Sequence, residues 1–376
     1  MDKYKEYAPK EDPSPRFRAG KSIYGFSRSK IDESNTLLGN RFLCRGGGII
    51  LVAPSGMGKS TCTMQASILW SCGRSAFDIS PYKALRILII QSEDDDGDCT
   101  EMSEMIDHLD LSEAEKQLVD ANTVVIRCND LTSTKFIEAL RACLSESKFD
   151  LVIINPYSSY LGGDVIDAGA NIQFLHVGLN PLLTEFNVGA MIVCHTPKTN
   201  KMVDFETINP WDFQYLSAGS AVITNWARGM LVIVPQKCDP KLFRFVAAKR
   251  WQKIGWGTDS ERYFTHSNGS VSCWEFASKE QIKQAEKDRT KKQKATQYSW
   301  QEIIEKILSP IDPITMDQWI IRAKAEPFRI GANSARIILA NGEAEGLVSV
   351  ERVKRTGTNP EKLYRKASKS NNGDHL

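Results

Sequence analysis

The segment Ala53-Pro54-Ser55-Gly56-Met57-Gly58-Lys59-Ser60-Thr61 constrains this chain more than any other. An apolar run, Ile49-Ile50-Leu51-Val52, leads into it, and a helical pattern, Cys62 to Trp70, leads out of it. Strand, glycine-bearing loop and helix in that order make a phosphate-binding loop. Small residues let the backbone N–H groups turn inward around an anion, and the helix start adds its partial positive charge. Lys59 is placed to reach the β- and γ-phosphates, and Ser60 to put a hydroxyl on Mg2+. The pattern departs once, at Ala53, where the motif opens with glycine. Alanine still permits a tight turn if its φ is negative. Residues Ala53 to Thr61 are thus expected to cradle a nucleoside triphosphate with its Mg2+.

The rest of the composition is that of an ordinary globular chain. Of 376 residues, 41% are apolar and 25% charged, enough for a sizeable core in one large domain or two to three smaller ones. A net charge of +2 implies no polyanion partner for the chain as a whole. Nine scattered cysteines without CxxC pairs read as reduced thiols, hence a reducing, cytoplasmic setting. No apolar stretch has the length of a membrane span, and residues 1–15 lack the apolar core of a signal segment.

Residues 1–36 are polar, carry several early prolines, and read as an N-terminal arm. Residues 37–277 alternate apolar runs with helical stretches. The runs are Ile49–Val52, Arg86–Gln91, Thr123–Arg127, Leu151–Asn155, Ala190–Cys194, Met230–Val234 and Leu242–Ala247. The first five have the unbroken Ile/Val character of parallel strands buried on both faces. Helical patterns such as Thr100–Asp110, Ser133–Ser147 and Asn171–Glu185 fall between them. The fold class is therefore α/β, with a mainly parallel twisted sheet flanked by helices. The last two runs, joined by Pro235–Pro240, predict an antiparallel hairpin at the sheet edge. Residues 278–298 form a charged linker, partly helical; Ser278 to Gln297 holds seven Lys/Arg against three acids. Residues 299–368 show three helices, over Ser299–Leu308, Thr315–Ala325 and Ser334–Glu345. Two strands follow, Leu347–Val353 and Lys362–Lys366, in the order of a winged helix. Residues 369–376 read as a disordered tail.

Three strand ends add chemistry to the phosphate loop. The second strand ends Gln91-Ser92-Glu93-Asp94, and a carboxylate there faces the ligand crevice of a parallel sheet. Glu93 is the best placed to polarise an attacking water, the alternative being a solvated acidic turn. The strand Leu151-Val152-Ile153-Ile154 ends in Asn155, where an acid would assist the metal. An amide adds no charge near the ion. Asp150 lies at the other end of that strand, and Asp164 in the next loop either compensates or is simply solvated. The strand Ala190–Cys194 ends in His195, which is placed to sense the γ-phosphate or to serve structure alone.

With these elements the chain resembles the RecA-like hexameric ATPases, most of all the RepA-type plasmid helicases and their phage relatives. The resemblance spans about residues 38–255. It rests on the phosphate loop, Ser92-Glu93-Asp94, Asn155-Pro156, Cys194-His195-Thr196, and the segment Gly219-Ser220-Ala221 through Trp226-Ala227-Arg228. It implies a ring-forming homo-oligomer, a hexamer, that hydrolyses ATP with Mg2+. Glu93 would then be the catalytic base, His195 the sensor, and Arg228 an arginine finger reaching a neighbour's nucleotide. Lys249 and Arg250 resemble a second pair acting on that nucleotide. The long segment Thr196–Ser217 stands where such rings place a DNA-contacting loop. Its Lys198 and Lys201 would meet phosphates and an aromatic could stack on a base, unless the segment is a lid. In the C-terminal unit, Arg336, Lys354 and Arg355 suit a duplex DNA backbone, although winged helices also dock proteins. The expectation is an ATP-driven DNA helicase of a plasmid, phage or similar element, acting on single-stranded DNA. The alternative is an ATP-switched initiator or regulator that unwinds nothing; a small-molecule kinase would leave the basic tail unexplained.

Overall fold

A computed structural model describes residues 22–196, 221–236, 242–267, 273–295, 298–325, 328, 330–353 and 361–367. Residues Met1–Asn35 form a unit by themselves. Its described part holds a short helix, Ile23–Ser27, started by the Ser22 hydroxyl accepting from the Gly25 N–H at 2.9 Å. Ile23, Tyr24 and Phe26 on that helix are exposed.

The second unit, Thr36–Leu376, is built on a nine-stranded sheet. In chain order its strands are β1 (Gly48–Ala53), β2 (Ile87–Gln91), β3 (Thr123–Arg127), β4 (Leu151–Asn155) and β5 (Gly189–His195), followed by β6 (Gly229–Gln236), β7 (Leu242–Lys249), β8 (Glu261–His266) and β9 (Trp274–Phe276). Their spatial order is β9-β8-β7-β6-β1-β5-β4-β2-β3. The six strands from β6 to β3 run parallel, and β7, β8 and β9 are antiparallel to their neighbours.

Burial on both faces explains the apolar runs. Ile49, Leu51 and Ala53 of β1 enter one core, with Cys62, Ala66, Ile68 and Trp70 of the helix Lys59–Ser71. Ile50 and Val52 point the other way, toward Phe136, Leu140 and Leu144 of the helix Ser133–Glu146. Alternate side chains of one strand thus feed two cores. Beside β1, Trp226 lies so close that a Cβ on Gly48 would fall 2.0 Å from its ring. Only glycine lets the indole approach the strand.

Two expectations are corrected here. Thr123–Arg127 is the outermost strand rather than one buried on both faces, and Val124, Val125 and Ile126 are 37%, 38% and 36% exposed. An edge strand has a neighbour on one side only, which an apolar run does not reveal. The β6–β7 pair is antiparallel as expected but internal, because β8 and β9 extend the sheet past it. Those two strands mix charged and aromatic residues in short runs and carry no clear period.

The stretch 278–298 carries a helix, Lys279–Ala295. Ser278 and Gln281 cap its start reciprocally, and Ala285 packs with Leu242 and Tyr263. Further along, helices Trp300–Ile307, Met316–Lys324 and Ala332–Ala344 share a core centred on the fully buried Trp319. Strands Ile314–Thr315, Glu361–Lys366 and Val348–Val353 form a small antiparallel sheet in that spatial order. Among the described residues, no helix is long and apolar enough to cross a membrane.

Candidate active site

The phosphate loop follows the last residue of β1. Gly56 and Gly58 both take φ +73°, a left-handed conformation costly for any residue with a Cβ. At Gly58 a Cβ would also sit 3.1 Å from the Trp274 ring, so β9 closes over the loop's base. Gln65 fixes that contact, donating to the Trp274 carbonyl at 2.8 Å and accepting from its backbone N–H at 2.7 Å. Gly58 starts the helix Lys59–Ser71 without a side-chain cap. The first-turn N–H groups therefore face the loop unclaimed by a capping side chain, as an anion site requires. Lys59 is buried, and its ammonium donates to the Pro54 carbonyl at 2.9 Å across the loop. Burial lowers its pKa below the ordinary lysine value, and the Glu93 charge pulls the other way.

Strand register gathers the predicted strand-end residues at this loop. Ala53 pairs with His195 across β1 and β5, and the Thr196 N–H donates to the Ala53 carbonyl at 3.2 Å. Gln91 pairs with Asn155 across β2 and β4. His195 Nε2 lies 3.7 Å from Glu93 Oε1. Burial, and then the Lys59 charge, push the imidazole below the ordinary value of 6.5, with Glu93 opposing them. At neutral pH His195 is therefore the uncharged partner of Glu93. Asn155 donates from Nδ2 to Ser60 Oγ at 3.2 Å.

Asp94 is the residue that sequence reasoning passed over. It is half-buried and lines the same crevice as Ser60. Burial raises its pKa, the Ser60 hydroxyl offsets this in part, and the nearby Asp98, Glu93 and Asp95 add repulsion. Gln91, itself buried, holds Asp94 at both backbone groups: it donates to the carbonyl at 3.0 Å and accepts from the N–H at 2.9 Å. The signal in the sequence was the adjacent pair Glu93-Asp94, of which Glu93 lies beside His195 and Asp94 lines the crevice with Ser60. The oxygen donors Ser60, Asp94 and Asn155 line one narrow crevice, a set that fits a hard divalent cation such as Mg2+.

Asp164 and Asp150 each have local partners. Asp164 Oδ1 accepts from the Ile166 N–H at 3.1 Å within its own loop. Asp150 sits at the far end of β4, where it accepts from the Arg86 N–H at 2.9 Å, pairs with Arg45, and lies 3.6 Å from Lys83. Burial pushes its pKa up, but these partners outweigh burial and hold it below the ordinary carboxylate value.

Arg228, Lys249 and Arg250 lie at the opposite end of the sheet. The Arg228 N–H donates to the Gly48 carbonyl at 2.8 Å, at the start of β1, and its side chain runs beside Gly47. Six residues of strand, about 20 Å, separate it from the loop of its own chain. No arginine side chain spans that distance. Lys249 pairs with Met230 across β6 and β7 and donates to the Thr224 carbonyl at 2.8 Å; burial lowers its pKa. Arg250 has φ +57° and starts the short helix Trp251–Ile254. Arg336 is exposed on the helix Ala332–Ala344 and donates to Asn333 at 3.1 Å. Lys198, Lys201, Lys354 and Arg355 lie outside the described residues, as do Trp211, Phe213, Tyr215, Gly219 and Ser220.

An AAA domain family model matches residues 13–201, half of the chain, taking in the phosphate loop, Glu93, Asn155 and His195. The chain belongs to the AAA domain family. Its fold is α/β, with a large, mostly parallel sheet flanked by helices and a phosphate loop after the first strand. It is similar to the crystal structure of the RadB recombinase, at 12% identity and a TM-score of 0.41, over 62% of this chain and 92% of that one. It is also similar to a KaiC-like protein from the hyperthermophilic archaeon Pyrococcus horikoshii, at 14% identity and a TM-score of 0.41, over 63% and 91%. No curated protein matches the chain.

Proposed function

We propose that this AAA domain protein is an ATP-driven motor. It assembles into a ring, a hexamer, in the cytoplasm and moves along single-stranded DNA in the replication of a plasmid, phage or mobile element. The observation that carries this reading is the division of the chemistry between the two ends of one sheet. Lys59, Ser60, Glu93 and His195 gather at one end, and Arg228 sits about 20 Å away, at the other. A finger so placed is useful only to a neighbouring copy.

In this mechanism, residues Ala53 to Thr61 wrap the triphosphate with backbone N–H groups, and the Lys59 ammonium leaves the Pro54 carbonyl for the phosphates. Ser60 would hold Mg2+ brought in with the nucleotide, and the ion would supply charge neutralisation at the phosphate oxygens. Glu93 orients the attacking water and accepts its proton. Arg228 of the adjoining copy neutralises charge developing on the γ-phosphoryl group, with Lys249 and Arg250 beside it. His195, uncharged against Glu93, loses or regains that contact as the phosphate leaves. Its neighbour Thr196, bonded to Ala53, begins the segment that carries Lys198 and Lys201 to the DNA backbone. The C-terminal unit, residues 299–368, is read as a winged helix whose Arg336, Lys354 and Arg355 meet duplex DNA.

A strand-displacement assay coupled to ATP turnover tests the reading. The expected result is turnover stimulated by single-stranded DNA, together with unwinding and a ring mass by native mass measurement. Asn155, which brings no charge to the cation, favours a second reading, a slow ATP switch that assembles on DNA without unwinding it. ATP-dependent assembly with no strand displacement would select that one.

A further inference from the structure

On the reading of this site as an ATPase centre, we propose that Asp94 supplies the carboxylate for a divalent cation at Ser60, the charge that Asn155 does not provide. Three observations carry it. First, Ser60 has both groups beside it: Asn155 Nδ2 donates to Ser60 Oγ at 3.2 Å, and Asp94 lines the same narrow crevice as Ser60 and Asn155. A carboxylate beside the hydroxyl strengthens that oxygen as a cation ligand. Second, Asp94 is built in place. Gln91 grips its backbone on both sides, and Gln91 is itself buried and paired in register with Asn155. Third, Asp94 follows Glu93 and leads directly into the acidic turn Asp94-Asp95-Asp96, so the crevice beside Ser60 is flanked by carboxylates.

Hard divalent cations take oxygen ligands and gain most from carboxylate charge. A carboxylate behind Ser60 supplies that charge from β2, whereas the acid of the usual arrangement would come from β4. The roles of the two adjacent acids then separate: Glu93 faces His195 and the attacking water, and Asp94 faces Ser60 and the cation.

The test is a titration of a fluorescent ATP analogue at fixed Mg2+ concentrations, with a melting temperature as the check on folding. In Asp94→Asn, affinity without Mg2+ should match wild type, and the Mg2+ concentration giving half of the affinity gain should rise about 10–100-fold. Asp94→Ala should behave alike. Asn155→Asp in the Asp94→Asn background should bring the half-point back toward wild type. Glu93→Gln should abolish turnover and leave the half-point where it was. An Asp94→Asn protein that titrates with Mg2+ like wild type overturns the inference while leaving the ATPase reading intact. So does Glu93→Gln moving the half-point as far as Asp94→Asn does. A wild-type protein that binds no nucleotide with or without Mg2+ removes the ATPase reading, and this inference with it.

Discussion

Lys59 is a cation kept where water is scarce, and its free energy is set against that burial until a phosphate arrives. A lysine whose folded pKa lies below its unfolded one withholds stability at neutral pH and restores it only above the unfolded value. Lys59→Met keeps the aliphatic stem and removes the charge. It should cut ATP turnover about 100-fold or more, while the melting temperature of the nucleotide-free protein stays level or rises. A marked fall in that temperature would show that the ammonium stabilises the empty loop instead. His195 obeys the same sign. Its folded pKa is depressed below 6.5, so its contribution to stability is present above pH 6.5 and lost as pH falls through the lower folded value. His195→Gln should therefore flatten the fall in melting temperature between pH 7.5 and 5. An unchanged slope would assign the acid sensitivity to other groups.

At the scale of elements, parallel register aligns the strand ends, and the strand ends make the site. Ala53 finishes level with His195, and Gln91 level with Asn155; in the register of β4 with β5 the second pair ends two residues short of the first, so all four border one loop. The far end of the same strands is tied by Asp150, which takes the Arg86 N–H and the Arg45 guanidinium. Asp150→Ala should cost about 1–3 kcal/mol, read from denaturant unfolding at neutral pH, because it strands half-buried donors. The deficit relative to wild type should shrink in acid, since a carboxyl with a lowered folded pKa contributes only above its titration range. A loss as large at pH 2.5 as at pH 7 would speak for packing rather than charge. The phosphate loop and its strand were legible from sequence because both depend on local pattern: apolar residues, glycines and a lysine at fixed spacing. The edge position of β3 was not, since Val124-Val125-Ile126 read the same whether one neighbour strand is present or two.

At the scale of the molecule, the groups proposed for catalysis sit at the two ends of one sheet. Arg228→Ala should spare nucleotide binding and abolish turnover. Mixing it with Lys59→Ala subunits should restore part of the activity, because each partner supplies what the other lacks. Activity that stays at zero at every mixing ratio would place Arg228 outside the reaction. The geometry makes this a sharp test, since β1 alone separates the arginine from the loop it would otherwise serve.

The sequence by itself determined the α/β class, the phosphate loop and the strand-end acids, because each is written in short-range spacing of residue types. Tertiary structure decided which of the two adjacent acids, Glu93 or Asp94, faces Ser60, and at which end of the sheet Arg228 lies. Those are matters of register and backbone direction between strands distant in the chain. Only the folded sheet, with Gln91 clamping Asp94 and Asn155 reaching Ser60, fixes such distances.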